Sequence, residues 1–349
     1  MHSIWQARQL NQEVHVLYDH HGTVKESCRQ RIVKNSKCES NLSVELYALA
    51  KLLKPVNVYL IDLNLTQASV GIENFTRAFQ LGNNKTIFEL YHPDKWAYEE
   101  WCALRWLYAY KYALLRRFDV IYIQDSDVLL YGNVTVEYDS LQPTDAAVSG
   151  GTVEPGRSGH NAFLHVKTLR NLLDFMLDTW HGRTDVSGYV KGYIVTDMFY
   201  FSHFFENRKT SSLSRARGVI VRTLSDPYYG THRDRLSARI FDHFIADSVH
   251  GRYPLRNFAF PDNSSANFKS IIWTTKAGEN FQWPHMSSSI TPRYAFIYHN
   301  ELQKMVRLIN LHFVGYWKRY MQLFIQRYMI SSKLDTLLTI TFLPNRTLM

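Results

Sequence analysis

Two aspartates, Asp125 and Asp127, close the apolar and aromatic run Phe118-Asp119-Val120-Ile121-Tyr122-Ile123-Gln124, and a second run, Val128-Leu129-Leu130, follows them. Such a run reads as a buried strand. On an extended chain, residues i and i+2 point to one side, so the two carboxylates converge. Paired negative charges repel unless a cation sits between them. Oxygen donors suit Mg²⁺ or Mn²⁺, which fill their remaining positions with water and substrate phosphates. In open α/β sheets, ligands gather at the carboxyl ends of strands, where this pair falls. Alone, Asp-Ser-Asp is equally the composition of a solvated turn.

A second chemical element lies far along the chain, in Asn310-Leu311-His312-Phe313-Val314-Gly315-Tyr316-Trp317-Lys318, after an apolar run that begins near Met305. Imidazole is a good ligand for first-row metals and a poor one for Mg²⁺ or Ca²⁺. Adding His312 to two aspartates therefore tilts the ion towards Mn²⁺. Gly315 lets backbone come close to a diphosphate, and Lys318 offers it a point charge. The competing reading is a structural histidine and a surface lysine.

Taken together, the two elements resemble the retaining glycosyltransferases of the glycogenin and bacterial galactosyltransferase type (family 8), most clearly over residues 55–320. The resemblance implies a GT-A fold, a Mn²⁺ (or Mg²⁺) ion and a nucleotide-diphosphate sugar as donor. The acceptor would be a glycan, a protein or a small molecule. It makes Asp125, Asp127 and His312 the metal ligands and turns Gly315 and Lys318 towards the diphosphate. Arg319-Tyr320 stands where the family has Pro-Trp, and Arg105-Trp106 with Asp-Ser-Asp-Val-Leu-Leu looks closer to a divergent branch. Asn161-Ala162 is similar to the family's Asn-Ala-Gly, whose Asn touches the donor sugar, with Phe163 in place of the glycine. Asp197 resembles the aspartate beside the anomeric carbon. An aspartate at a helix start is also an ordinary N-cap. Arg105, embedded in the apolar helix Trp101 to Tyr108, needs a partner. A diphosphate would serve, and so would a carboxylate such as Glu99 or Glu100.

The elements that must position these residues alternate. Glu13–Tyr18 and Val56–Ile61 read as strands, with a helix from Asn41 to Lys54 between them that Pro55 stops. A helix from about Trp96 to Arg117 feeds the strand that carries Asp125. Ala146–Ser149 reads as a strand, residues 150–159 as a glycine-containing loop, and Leu169, Leu172, Leu173 and Met176 as a helical stripe. Asp197 opens an aromatic helix, Phe199 to Phe205. Residues 206–290 read as long connections, including an unexplained Phe241-Asp242-His243. The pattern predicts an α/β, Rossmann-like, mixed and mostly parallel sheet with helices on both faces. We expect one catalytic domain over 1–325 and a tail over 326–349.

At 349 residues and 46% hydrophobic, the chain can bury a full core. Its net charge of +9 is dispersed and attached to no nucleic-acid motif, so no nucleic-acid partner is expected. Three cysteines make no disulfide framework; a Cys28–Cys38 bridge would leave Cys102 buried and free. Seven Asn-x-Ser/Thr sequons, at Asn41, Asn64, Asn74, Asn84, Asn133, Asn263 and Asn345, favour a glycosylated, luminal protein of the Golgi type. No apolar run near the start resembles a leader or anchor, so membrane attachment would need a missing N-terminal segment; otherwise the chain is cytoplasmic. Two alternatives stay open beside the transferase. One is a sugar-phosphate nucleotidyltransferase, for which His20-His21-Gly22-Thr23 is a poor phosphate loop. The other is a catalytically inactive GT-A fold binding protein.

Overall fold

A computed structural model describes residues 14–18, 51, 54, 58–62, 69–91, 95–125, 127–150, 157–184, 196–206, 219–224, 226, 228–229, 238–241, 272–274, 280–282, 294–299 and 302–312. The helix expected over 41–54, apart from Lys51 and Lys54, lies outside them. So do Cys28, Cys38, Asp242, His243, Gly315, Lys318 and the tail. The chain is α/β with mixed sheets and divides into two compact units.

One unit holds Ala7–Asp125 and Asn133–Leu224. Its first two strands, β1 (Val14–Tyr18) and β2 (Val58–Asp62), pair in parallel. Three helices follow: α1 (Ser69–Gly82), α2 (Lys85–Tyr91) and α3 (Trp96–Arg116). Helix α3 ends because Arg117 adopts a left-handed conformation (φ 56°), and Phe118 N–H bonds back to the Ala113 carbonyl at 2.9 Å. That reversal delivers the chain into β3 (Val120–Gln124).

Past β3 the chain enters the other unit for β4 (Val128–Leu130) and returns for α4 (Val134–Ser140), β5 (Ala146–Gly150), β6 (Arg157–His165), α5 (Val166–Trp180), α6 (Asp197–Glu206) and β7 (Val221–Thr223). The second sheet of the first unit runs β3-β6-β5-β7. Strand β6 is antiparallel to both β3 and β5, while β5 and β7 are parallel. Thus β3, β5 and β7 point one way and β6 runs against them.

The expected "mixed" sheet is present, but "mostly parallel" is corrected: seven of the ten described strand pairings are antiparallel. The reason is local. Only six residues join β5 to β6, too few for a parallel crossover, so β6 folds back as a hairpin partner. The loop expected over 150–159 is accordingly shorter, since Gly150 ends β5 and Arg157 opens β6.

Alternation sorts the side chains of this sheet onto two faces. Ala146, Val148, Ala162 and Leu164, with Ile121 and Ile123 against them, pack on α1, α3, α5 and α6. The apolar stripe of α5 (Leu169, Leu172, Leu173, Met176) and the rings of α6 (Phe199, Tyr200, Phe201, Phe204, Phe205) complete this core. On the other face Tyr122 packs on Phe163, and Tyr138 of α4 meets Phe163 and bonds His165 Nε2 at 2.8 Å. Helices do cover both faces.

The other unit holds Ser126–Gly132 and Ser225–Met349, with Met1–Gln6. It contains β4, β8 (Tyr228–Tyr229), β9 (Ala238–Phe241), β10 (Ile272–Thr274), β11 (Asn280–Gln282), β12 (Tyr294–His299) and β13 (Lys304–His312). The order is β11-β10-β12-β13-β9-β8, with β4 added to β13. Only the β13–β9 pairing is parallel.

Gly159 of β6 is required by close packing. A Cβ there would stand 2.2 Å from Trp106 Cζ2 and 2.8 Å from Phe201 Cζ. Gly159→Ala is therefore expected to cost roughly 1–3 kcal/mol through overpacking, read as a lower thermal midpoint. An unchanged midpoint would show that both rings move aside freely.

Candidate functional site

The aspartates of the opening motif stand beyond the strand rather than in it. Asp125 follows the last residue of β3, with its N–H on the His160 carbonyl at 2.8 Å, and Asp127 occupies a turn just before β4. Strand alternation therefore does not bring their carboxylates together. Asp125 is the last residue of one unit before the chain crosses, and Asp127 belongs to the other.

Asp125 belongs to a partly buried ion triplet built on α3, of which Asp197 is the buried member. Arg105 Nη1 donates to Asp125 Oδ1 at 2.5 Å and Nη2 donates to Asp197 Oδ2 at 2.6 Å. Trp106 Nε1 donates to the same Asp197 oxygen at 3.0 Å, and the guanidinium lies 4.9 Å from the Trp106 ring centre. The forked geometry of arginine suits two carboxylates at once. Burial would lower the Arg105 pKa, but Asp197 and then Asp125 outweigh it and raise it further above its usual range. For Arg105 the sequence offers a diphosphate or a carboxylate such as Glu99 or Glu100; the carboxylates that meet it are Asp125 and Asp197. Glu100 accepts from Gln80 at 2.9 Å.

The cap reading of Asp197 is also decided. Asp197 is the first residue of α6 and is 4% exposed. Its described bonds run to side chains of α3, not to backbone N–H groups of its own helix. Asn161 is fully buried on β6, opposite Gln124 at the carboxyl end of β3, and its carbonyl accepts from Ser149 Oγ at 3.2 Å. Sequence reasoning missed Trp106 as a donor. Its one signal was adjacency to Arg105.

Glu99, one to two turns before Arg105 on α3, is a further buried carboxylate. Burial pushes its pKa up to about 7, the Asp197 carboxylate adds to this, and Lys95 and Arg105 partly oppose it. Burial likewise pushes the Cys102 thiol up to about 12, so Cys102 is an inert, packed thiol, free as expected.

In the other unit, the register of β4 against β13 sets His312 opposite Val128. This brings Asp127, one residue earlier, beside His312. His312 Nε2 lies 3.5 Å from Asp127 Oδ1, and both residues are buried. Two donors each about 2.1 Å from a shared ion sit roughly 3.0–3.5 Å apart, so the pair is spaced as ligands of one cation are. A single residue separates Asp127 from Asp125. Gly315 and Lys318 lie outside the described residues.

No family model, curated protein or solved structure matches this chain.

Two outcomes test this site. Asp197→Asn is expected to destabilise by about 2–3 kcal/mol, because Arg105 loses the buried one of its two counter-charges; a helix cap would accept Asn at little cost. Equal melting temperatures for wild type and variant would return Asp197 to a capping role. For Glu99, the folded pKa of about 7 exceeds the reference 4.5. The native state therefore keeps a proton that the unfolded chain loses between these values, and stability from this group falls as pH rises through that window. Glu99→Gln should leave stability at pH 4 unchanged and raise it at pH 8, by about 3 kcal/mol at most. Denaturant unfolding at both pH values measures the difference.

Proposed function

We propose that this protein is a divalent-metal-dependent glycosyltransferase of the GT-A type. It would transfer a sugar from a nucleotide-diphosphate sugar to a glycan, protein or small-molecule acceptor. The observation that carries the reading is the side-by-side burial of Asp127 and His312, 3.5 Å apart yet drawn from distant parts of the sequence. A buried carboxylate and imidazole at that spacing, beside a second aspartate, form a donor set suited to Mn²⁺. Asp125, two residues before Asp127, would be the third ligand, as the family resemblance implies. A carboxylate offers about four lone-pair sites, so the Asp125 bond to Arg105 is compatible with ligation.

When bound, the ion would supply Lewis-acid stabilisation of charge on a leaving diphosphate. The protein's own groups do the rest. Arg105 is the cation fixed beside Asp125, and Asp197 is held by Arg105 and Trp106 with its carboxylate oriented. A rigid carboxylate at that point would stabilise an oxocarbenium-like sugar or orient an acceptor hydroxyl. Asn161 would contact the donor sugar, and Gly315 and Lys318 would face the diphosphate, as the family resemblance implies.

Incubating the purified chain with Mn²⁺ and a panel of nucleotide sugars tests the proposal by donor hydrolysis and transfer. Activity should vanish in excess chelator. Asp127→Asn should lower it by roughly 10³-fold or more, and His312→Ala should shift the Mn²⁺ midpoint upward with weaker nucleoside diphosphate binding. Full turnover in chelator would overturn the metal reading. A His312→Ala variant with an unchanged Mn²⁺ midpoint and only a lower melting temperature would make the histidine structural.

A further inference from the structure

Helix α3 ends on an exposed run. Leu114 and Leu115 are 51% and 66% exposed, and the next two residues, Arg116 and Arg117, are exposed as well. A single leucine at a surface is ordinary, but two in succession followed by two cations form an apolar spot with a basic border. Phe118 is half-buried beyond the turn, with the Arg116 guanidinium 5.9 Å from its ring centre. The left-handed Arg117 turns the chain from α3 into β3, so Leu114 to Phe118 gather at the amino end of that strand.

A third cation joins this corner from another element. Val166 N–H bonds the Asp119 carbonyl at 2.9 Å, which sets the start of α5, and with it the exposed Lys167, beside the start of β3. Asp119 is the one acidic residue between Leu114 and Val120. Among the described residues, none of the three cations forms an ion pair with a carboxylate. The corner therefore carries an excess of positive charge around exposed apolar side chains. It stands at the opposite end of β3 from Asp125, within one unit.

We infer that this corner is a contact surface for a lipid bilayer with anionic headgroups. Leu114 and Leu115 enter the headgroup layer, and Arg116, Arg117 and Lys167 meet the lipid anions. Long cationic side chains lay their stems along apolar surface and keep their charge among the headgroups, which suits arginine beside leucine. A soluble polyanion would match the cations and leave the leucines in water; an anionic bilayer meets both at once. The inference needs neither the metal nor the transferase reading.

Sedimentation of the full chain with phosphatidylcholine vesicles, with and without about one third phosphatidylserine, tests it. Binding is expected only to the anionic vesicles and falls as salt is raised. A basic residue near an anionic surface contributes about fivefold in binding, so Arg116→Glu with Arg117→Glu should weaken it by about 25-fold or more. Leu115→Ser, which leaves the charge unchanged, should weaken it about tenfold. The whole chain has a net charge of +9, so a control is needed. Arg77→Glu with Lys85→Glu, at exposed positions of α1 and α2, makes the same change in net charge and should keep most of the binding. No binding to anionic vesicles, an equal loss in the control pair, a Leu115→Ser variant that binds like wild type, or equally strong binding of soluble polyglutamate would each overturn the assignment.

Discussion

A guanidinium enclosed by protein is costly unless charges of opposite sign meet both ends of its fork. Arg105 meets that condition with Asp125 from the end of β3 and Asp197 from the start of α6. Three elements far apart in sequence are thereby required to converge on one cation. Much of the surrounding packing serves this requirement. Trp106 lies against Phe201 at 4.6 Å and donates to Asp197, so the same ring fixes the orientation of α6 and of its first carboxylate. The absent side chain at Gly159 leaves space for that ring. Burial first, and then the Asp197 carboxylate, push the pKa of the nearby Glu99 up to about 7.

A second constraint is one of register. Asp127 and His312 become neighbours because β4 pairs with the C-terminal end of β13, with Val128 opposite His312. A slip of one residue would turn His312 to the opposite face of the sheet and dissolve the pair. Burial of Val128, Leu129 and Leu130 against Leu311 and Ile309 holds that register. The hydrogen bond from Tyr131 N–H to the Ile309 carbonyl, at 2.6 Å, extends it beyond the strand. The pair is therefore a product of sheet packing as much as of its two side chains.

The sequons illustrate how one pattern can carry two meanings. Asn133 accepts from the N–H groups of Thr135 and Val136 as the N-cap of α4, and Asn84 accepts from Ile87 N–H at the start of α2. An Asn followed by Thr two positions later is a helix-start signature as well as a glycosylation signal. Asn74, by contrast, lies exposed in the middle of α1, where it caps nothing. Among the described residues no helix is long and apolar enough to cross a membrane.

Local pattern was enough to read the helices α3, α5 and α6, the strands β1, β2, β3 and β5, and the identity of the residues with chemistry. Each depends on periodicity, chain reversal signals or residue type, which neighbours in sequence determine. Pairing direction was not legible. A strand–helix alternation looks the same whether β6 lies beside β3 in parallel or is folded back between β3 and β5, and the length of one connection decides. Nor did sequence reveal that Asp125 and Asp127 stand beyond β3 rather than in it, because that depends on the chain leaving one sheet after Gln124 and entering another at Val128. The partner of Arg105 and the indole donor to Asp197 likewise came from tertiary packing. Residues near each other along α3 offered Glu99 and Glu100, while the folded chain supplied the two carboxylates whose positions match both arms of the guanidinium.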